Sequence, residues 1–433
     1  MAERIGVLGA GYVGLTSAAC FARLGHQVTC VDTDASKVDS LRRGQVGIEE
    51  PGLPELVVAG LRAFALDFTT GVADLSGCGV VLLCLPTPPG ANGSPDLGVL
   101  EAALPGLGAV LAPGAVVVTK STVPVGTAER LPALLGRDDV TVVSNPEFLR
   151  EGHAVHDFLN PDRVVLGAGP ADSAAADRVA ALYEPTGATV VHTDPASAEL
   201  AKYASNAFLA VKASYANVLA ELCETWGADV REVGRTMGVD PRIGPHFLSP
   251  GPGWGGSCLP KDTRALLHAA ETAGVGFDLV RDAMRVNERQ CARMVRLARR
   301  AATGTVDGSL AGVRIGLLGL AFKAGTGDLR DSPAVAVATE LARRGAELTA
   351  HDPAVTSGVD GLQLVDDPYL VAKDAAALVL LTEWPEFRDL DWPRLAAACE
   401  RPVVVDTRNL LDPTMLAQSG FTCFGLGTAR DRS

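Results

Sequence analysis

Ile5-Gly6-Val7-Leu8-Gly9-Ala10-Gly11-Tyr12-Val13-Gly14 runs from an apolar strand over residues 4–8 straight into a glycine-spaced turn. In such a turn the first glycine makes the tight bend, the second admits a pyrophosphate to the backbone, and the third lets helix and strand pack. Outward from it, an Ala-rich stretch to about Leu24 predicts a helix whose N-terminus faces the phosphates. A second apolar run from His26 to Val31 ends at Asp32. Strand, glycine turn, helix, strand and acid in that order predict a dinucleotide fold. Asp32 is suited to accept hydrogen bonds from a ribose diol and to repel a 2′-phosphate. NAD is therefore expected over NADP, with Lys37 the one nearby cation that tempers the preference.

The alternation continues along the chain. Residues 80–85, 116–120 and 141–144 read as buried strands. They end in Pro86-Thr87-Pro88-Pro89-Gly90, Ser121-Thr122-Val123-Pro124-Val125-Gly126 and Asn145-Pro146-Glu147-Phe148-Leu149-Arg150-Glu151. Ligands of open α/β sheets gather at such strand ends. From 196 to 226 the chain lacks Gly and Pro and is rich in Ala, Leu, Glu and Lys, which predicts one long helix. Lys202 and Asn206 are one turn apart on one of its faces. Helical patterns follow over 265–273 and 277–300. A second nucleotide-fold-like unit opens at 313–318, with Gly316, Gly319 and Lys323 in its turn, and continues through 346–352, 376–381 and 403–406. The expected architecture is α/β: two Rossmann-like parallel-sheet domains, 1–195 and 304–433, joined by a central helical domain, 196–303, with one long helix.

Composition narrows the function. A chain of 433 residues is too long for one compact core. A net charge of −13 argues against a non-specific nucleic-acid binder, so any anionic ligand must meet a local group of Lys and Arg. Nine cysteines without a signal sequence read as reduced thiols of a cytoplasmic protein. The chain enters a strand at once, leaving no room for a targeting peptide. Its apolar runs fall far short of the roughly 20 residues of a membrane helix. No metal site is expected.

Chemistry is signalled by Gly253-Trp254-Gly255-Gly256-Ser257-Cys258-Leu259-Pro260-Lys261-Asp262. Glycines let backbone approach a ligand closely, and a thiol beside a cation is the setting of a nucleophile. A lone buried cysteine is the competing reading.

Five motifs in order, GAGYVG at 9–14, STVPVG at 121–126, NPEFLREG at 145–152, GGSCLPKD at 255–262 and GLAFKAGTGDLRDSP at 319–333, resemble the UDP-glucose/GDP-mannose dehydrogenase family nearly end to end. The resemblance implies oxidation of the C6 alcohol of a nucleotide sugar to a carboxylate with two NAD⁺. UDP-glucose is favoured over GDP-mannose or a UDP-N-acetylhexosamine. It implies Cys258 as nucleophile and Lys202, helped by Asn206, as oxyanion partner. Asp262 and Thr122 are to hold a water, Glu147 is a second base, and Glu151 is a water-orienting carboxylate. NAD is expected at Gly9, Gly11, Tyr12, Val13, Gly14, Asp32, Lys37, Thr87, Thr122 and Arg330. The sugar nucleotide is expected at Phe148, Leu149, Arg150, Glu151, Phe247 and Gly253, beside Lys202 and Asn206, with Lys323 and Arg408 offsetting its diphosphate. Arg242 matches an arginine that reaches a neighbouring subunit, which implies a homodimer. A single-step 3-hydroxyacid dehydrogenase, with an N-terminal dinucleotide fold and a helical second domain, would need neither Cys258 nor a third, α/β domain. A non-catalytic NAD-binding scaffold would not need Cys258, Lys202 and Asp262 together.

Overall fold

The structure is a computed structural model and describes residues 2–90, 93–357 and 359–428. The chain divides into two compact units, Met1–Ser205 with Arg264–Ala269, and Asn206–Thr263 with Ala270–Ser433.

The first unit is built on an eight-stranded sheet: β1 (Arg4–Leu8), β2 (Gln27–Val31), β3 (Leu66–Thr69), β4 (Val80–Leu83), β5 (Val116–Thr119), β6 (Thr141–Ser144), β7 (Val164–Gly167) and β8 (Val190–Thr193). Their order is β3-β2-β1-β4-β5-β6-β7-β8. β4 and β5 are buried along their whole length, as strands covered on both faces by helices must be. Register brings the strand ends level. Leu8 pairs with Val31 and with Leu83, Leu83 with Thr119, and Thr119 with Ser144. The residues that follow these strands (Gly9, Asp32, Cys84, Lys120 and Asn145) therefore leave one sheet edge together. β7 joins β6 antiparallel, through Ser144 and Gly167. β3, β7 and β8 extend the expected sheet. Leu66-Asp67-Phe68-Thr69 is too short for its pattern to stand out, and β8 is a partly exposed end strand. On one face Phe21 packs edge-on against Phe158 and Tyr183, with ring centres 4.9 and 5.1 Å away.

The second unit carries a six-stranded parallel sheet of β9 (Arg314–Leu318), β10 (Glu347–His351), β11 (Leu362–Leu364), β12 (Ala377–Leu380), β13 (Val403–Asp406) and β14 (Thr422–Gly425), in the order β11-β10-β9-β12-β13-β14. Leu318 pairs with His351 and Leu380, and Leu380 with Asp406, so Gly319, Asp352 and Thr407 follow at one edge. The helix Asp278–Thr303 buries Met294, Val295 and Ala298 in the same core as Leu317 and Val379.

The long helix is present as Pro195–Trp226 and ends before Gly227, whose φ of +75° halts it. Its first eleven residues belong to the first unit and the remainder to the second. The helix expected from 265 begins at Leu259. Pro260 conceals that start in a sequence reading, although proline suits a first helical turn, where its missing N–H has no intrahelical partner anyway.

Candidate active site

The cofactor edge lies wholly in the first unit. Gly9 has φ +102°, and a Cβ on Gly14 would stand 1.8 Å from the Gly9 carbonyl oxygen, so the turn requires both glycines. A Cβ on Gly11 would meet no atom within 4 Å, which leaves the mouth of the turn open to a ligand. Tyr12 and Val13 begin the helix Tyr12–Arg23 behind it. Asp32 accepts the Ala10 and Asp34 amides, each at 3.0 Å, and Lys37 Nζ at 2.8 Å. Burial raises the Asp32 carboxyl, but Lys37 and the two amides carry it below the usual range. Lys37 is thus paired with the acid it was expected to temper. These residues fit a dinucleotide: an open glycine turn, a helix N-terminus for the pyrophosphate, and an ionised acid for a ribose.

The neighbouring strand ends bring Thr87 to Thr122: the Thr87 hydroxyl donates to the Thr122 carbonyl at 2.8 Å. Lys202 Nζ donates to Glu147 Oε1 at 2.8 Å, with both side chains under one-tenth exposed. Burial raises the Glu147 carboxyl. The Lys202 charge and hydrogen bond, the Leu149 amide at 2.7 Å and the more distant Lys120 charge outweigh it and hold the group low. Phe148 lies within cation–π range of two cations, with Arg163 3.9 Å and Lys202 5.5 Å from its ring centre. Arg150 is clamped by Asp157 through both its side chain and its amide. Glu151 is half-buried in the turn that follows.

Three residues to which sequence reasoning gave no site role hold this edge. Glu199 accepts the Gly126 amide at 2.6 Å and the Ala128 amide at 2.8 Å, fastening the STVPVG turn to the helix that carries Lys202. Burial pushes its carboxyl up, and the backbone amides only partly offset that. Lys120 is buried, donates to Asn145 Oδ1 at 3.2 Å and lies 5.6 Å from the Tyr183 ring centre. Glu50 takes the Tyr12 hydroxyl and the Gly152 amide. The available signals were spacing, Glu199 being one turn before Lys202, and a lysine at the end of an apolar strand.

The second unit holds the thiol. Cys258 is half-buried, and its carbonyl accepts the Asp262 amide at 2.9 Å, which makes it the cap of the helix Leu259–Thr272. The partial positive charge of a helix N-terminus favours negative charge on such a sulfur. Lys261, read as the cation beside the thiol, pairs with Asp262 Oδ1 at 2.6 Å. Asn206 Nδ2 donates to Asp262 Oδ2 at 2.7 Å. Asp262 is 1% exposed, with a partner on each oxygen. The glycines before it are packing requirements: a Cβ on Gly255 would stand 2.0 Å from the Asp331 carbonyl oxygen, and one on Gly256 would stand 2.7 Å from the Phe322 ring. Gly253, with φ +141°, would bring a Cβ to 2.9 Å from Asn287 Oδ1.

Phe247 is partly exposed at φ +63°. Arg242 is an exposed side chain paired with Asp240, and Arg330 pairs with Asp328 at 2.7 Å. Arg408 pairs with Glu383 at 3.0 Å and donates to the Phe322 carbonyl at 3.2 Å. Lys323 lies 5.7 Å from the Phe322 ring centre, so one residue links both expected diphosphate cations.

The glycine turn with its ionised acid fits a dinucleotide-dependent oxidoreductase, and the second unit holds a thiol at the start of the helix that carries a clamped aspartate. The chain belongs to the UDP-glucose/GDP-mannose dehydrogenase family: the family's NAD binding domain matches residues 3–187, its central domain 196–289 and its UDP binding domain 316–413. It is 43% identical to the UDP-glucose 6-dehydrogenase of Rhizobium meliloti (strain 1021), over 98% of this chain and 99% of that one. It is 42% identical to the enzyme of the same name from Pseudomonas aeruginosa, over 99% and 98%. A UDP-glucose dehydrogenase structure from the archaeon Pyrobaculum islandicum superposes with a TM-score of 0.89 at 36% identity, covering 99% of this chain and 98% of that one.

Proposed function

We propose that this protein oxidises the C6 alcohol of UDP-glucose to the carboxylate of UDP-glucuronate through a covalent intermediate on Cys258. The observation that carries the reading is Cys258 capping a helix, with Asp262 in that helix's first turn buried between Asn206 and Lys261. Full-length identity to relatives named UDP-glucose 6-dehydrogenase supports the sugar.

Gly9, Gly11, Tyr12, Val13 and Gly14 would hold NAD⁺, with Asp32 for its ribose, and the cofactor would supply a hydride acceptor for each of the two oxidations of one sugar. Lys202 stabilises the alkoxide as the alcohol proton leaves for a water, with Asp262 as the residue proposed to hold it. The Cys258 thiolate then adds to the aldehyde carbon and the oxygen gains a proton, giving a thiohemiacetal. The second oxidation removes a proton from the oxygen and a hydride from the carbon and leaves a thioester. Water attacks it, expels the thiolate and yields the carboxylate, with Glu147 as the second candidate base and Glu151 orienting the water. Alcohol, two NAD⁺ and water become carboxylate, two NADH and three protons. In the first unit Phe148, Leu149 and Arg150 are the residues proposed for the sugar nucleotide and Thr87 and Lys37 those proposed for NAD; in the second, Phe247, Gly253, Lys323 and Arg408 are proposed for the sugar nucleotide and Arg330 for NAD.

The active unit is a homodimer. Phe208, Tyr215, Leu222 and Trp226 recur at intervals of seven, seven and four along the long helix, all exposed. Such a stripe fits a second copy of the same helix, and Arg242 would reach the partner's sugar. A cytoplasmic location agrees with nine cysteines that are all thiols. Among the described residues no helix is long and apolar enough to cross a membrane.

The test is NADH formed per mole of limiting sugar nucleotide, with UDP-glucose, GDP-mannose and UDP-N-acetylglucosamine in parallel. Two NADH from UDP-glucose alone, with Cys258→Ser stalling before free acid, is the expected result. Two from GDP-mannose instead would overturn the substrate, and no turnover with any of them would overturn the activity.

A further inference from the structure

Tyr12 and Gly152 belong to different motifs, 140 residues apart, yet share one carboxylate. Glu50 Oε2 accepts the Tyr12 hydroxyl and, at 2.8 Å, the Gly152 amide; its Oε1 accepts the Val155 amide at 3.3 Å. The same Gly152 amide lies 3.1 Å from the Tyr12 oxygen, which closes the triangle. Glu50 is 4% exposed, and among the described residues no Lys or Arg forms a salt bridge with it. A carboxylate buried without a cation is costly, and capping the six-residue helix Ala154–Leu159 alone does not call for one. Its other partner is informative: Tyr12 is the first residue of the helix behind the glycine turn, where a pyrophosphate would dock. Burial, and then Glu50 itself, push the Tyr12 hydroxyl far up, so the phenol keeps its proton and remains a donor. On the far side of the turn Asp157 clamps Arg150. Glu151 is thus fixed from both neighbours.

We propose that Glu50 is a positioning residue: through Tyr12 it ties the Glu151–Gly152 turn to the cofactor loop, so that a dinucleotide on the glycine turn orders the segment that receives the sugar nucleotide. The identity of both ligands rests on the function proposed above. The physical basis is restraint: phosphates on the helix N-terminus damp Tyr12, and a hydrogen-bonded carboxylate passes that restraint to Gly152. A second ligand then meets a segment already ordered, which is positive coupling without a change of fold.

Amide hydrogen exchange at saturating NADH tests this in the native protein, Tyr12→Phe and Glu50→Gln. In the native protein and Glu50→Gln, and in Tyr12→Phe at the NADH concentration that saturates that variant, NADH should slow exchange over residues 9–16. In the native protein it should also slow Gly152 and Val155 at least tenfold, and in the variants less than threefold. NADH should likewise tighten UDP binding about fivefold in the native protein, and leave it within twofold in the variants. Equal slowing at 152–155 in the variants, or none in the native protein while residues 9–16 respond, overturns the link. Exchange needs no sugar, so a failure of UDP-glucose turnover sinks the substrate reading and leaves this result to decide the link on its own. If Glu50→Gln fails to fold, Tyr12→Phe, which removes one oxygen, still decides.

Discussion

Lys202 Nζ and Glu147 Oε1 are 2.8 Å apart, with both side chains withdrawn from water. Two expected functional residues are therefore each other's charge partner, which sets the state of each. Removing one partner strands the other, at a cost of about 3–5 kcal/mol. We expect Lys202→Met to lower thermal stability sharply and to cut kcat by about 10²–10³-fold through loss of the oxyanion partner. Glu147→Gln, which keeps an acceptor for Lys202, should cost less stability. Thermal unfolding and steady-state kinetics on both variants check this.

The same pair makes acid stability predictable. The folded Glu147 carboxyl lies below its ordinary value despite burial, because Lys202 and the Leu149 amide favour the anion. A carboxyl lowered on folding contributes stability above its unfolded value of about 4.3, and loses it as pH falls through the folded value. The melting-temperature gap between the native protein and Glu147→Gln should be constant near neutrality and narrow only below about pH 4. A gap that stays unchanged down to pH 3 would contradict the assignment.

Asp32 should decide the coenzyme. Its carboxylate remains ionised, with Lys37 on one oxygen. Asp32→Ser removes both the ribose acceptor and the repulsion of a 2′-phosphate, and frees Lys37. The ratio of kcat/KM for NADP⁺ to that for NAD⁺ should rise at least tenfold, about 1.4 kcal/mol. An unchanged ratio would place the ribose elsewhere.

Two glycines with opposite surroundings separate ligand space from packing. A Cβ on Gly11 meets nothing within 4 Å, so Gly11→Ala should leave stability within about 0.5 kcal/mol while weakening NAD binding at least tenfold. A Cβ on Gly255 collides with the Asp331 carbonyl at 2.0 Å. Gly255→Ala should therefore cost about 1–3 kcal/mol and change the rate at which iodoacetamide alkylates Cys258. Calorimetry and the alkylation rate read the two effects separately.

Asp262 is buried with Asn206 and Lys261 on its oxygens. Asp262→Asn keeps the shape, loses the charge and should lower kcat by about 10²–10⁴-fold with little change in KM. A change confined to KM would instead make Asp262 a binding group.

Much of this was legible in the chain. Period and punctuation sufficed for β1, β4, β5, β6 and the helix Pro195–Trp226, because apolar runs bounded by glycine and proline have few alternatives. The Gly253–Asp262 loop, the glycine turn and Asp32 stand out in the chain because the chemistry proposed for them needs particular residue types at short spacings. The start of the helix at Leu259 was not, since Pro260 reads as a breaker until the missing N–H is seen to fall in a first turn.

Residue order alone dictates the local elements and the residues whose function lies in their own type: a thiol, an acid after a strand, a glycine in a turn. The partners of those residues were settled by folding. Lys261 serves Asp262, Glu199 fastens a turn some seventy positions earlier, and Glu50 joins two motifs separated by 140 residues. Hydrogen bonds and ion pairs act over about 3 Å, and parallel strands place residues far apart in the chain at one edge. Spacing in sequence carries no record of that proximity, because register and crossover set it.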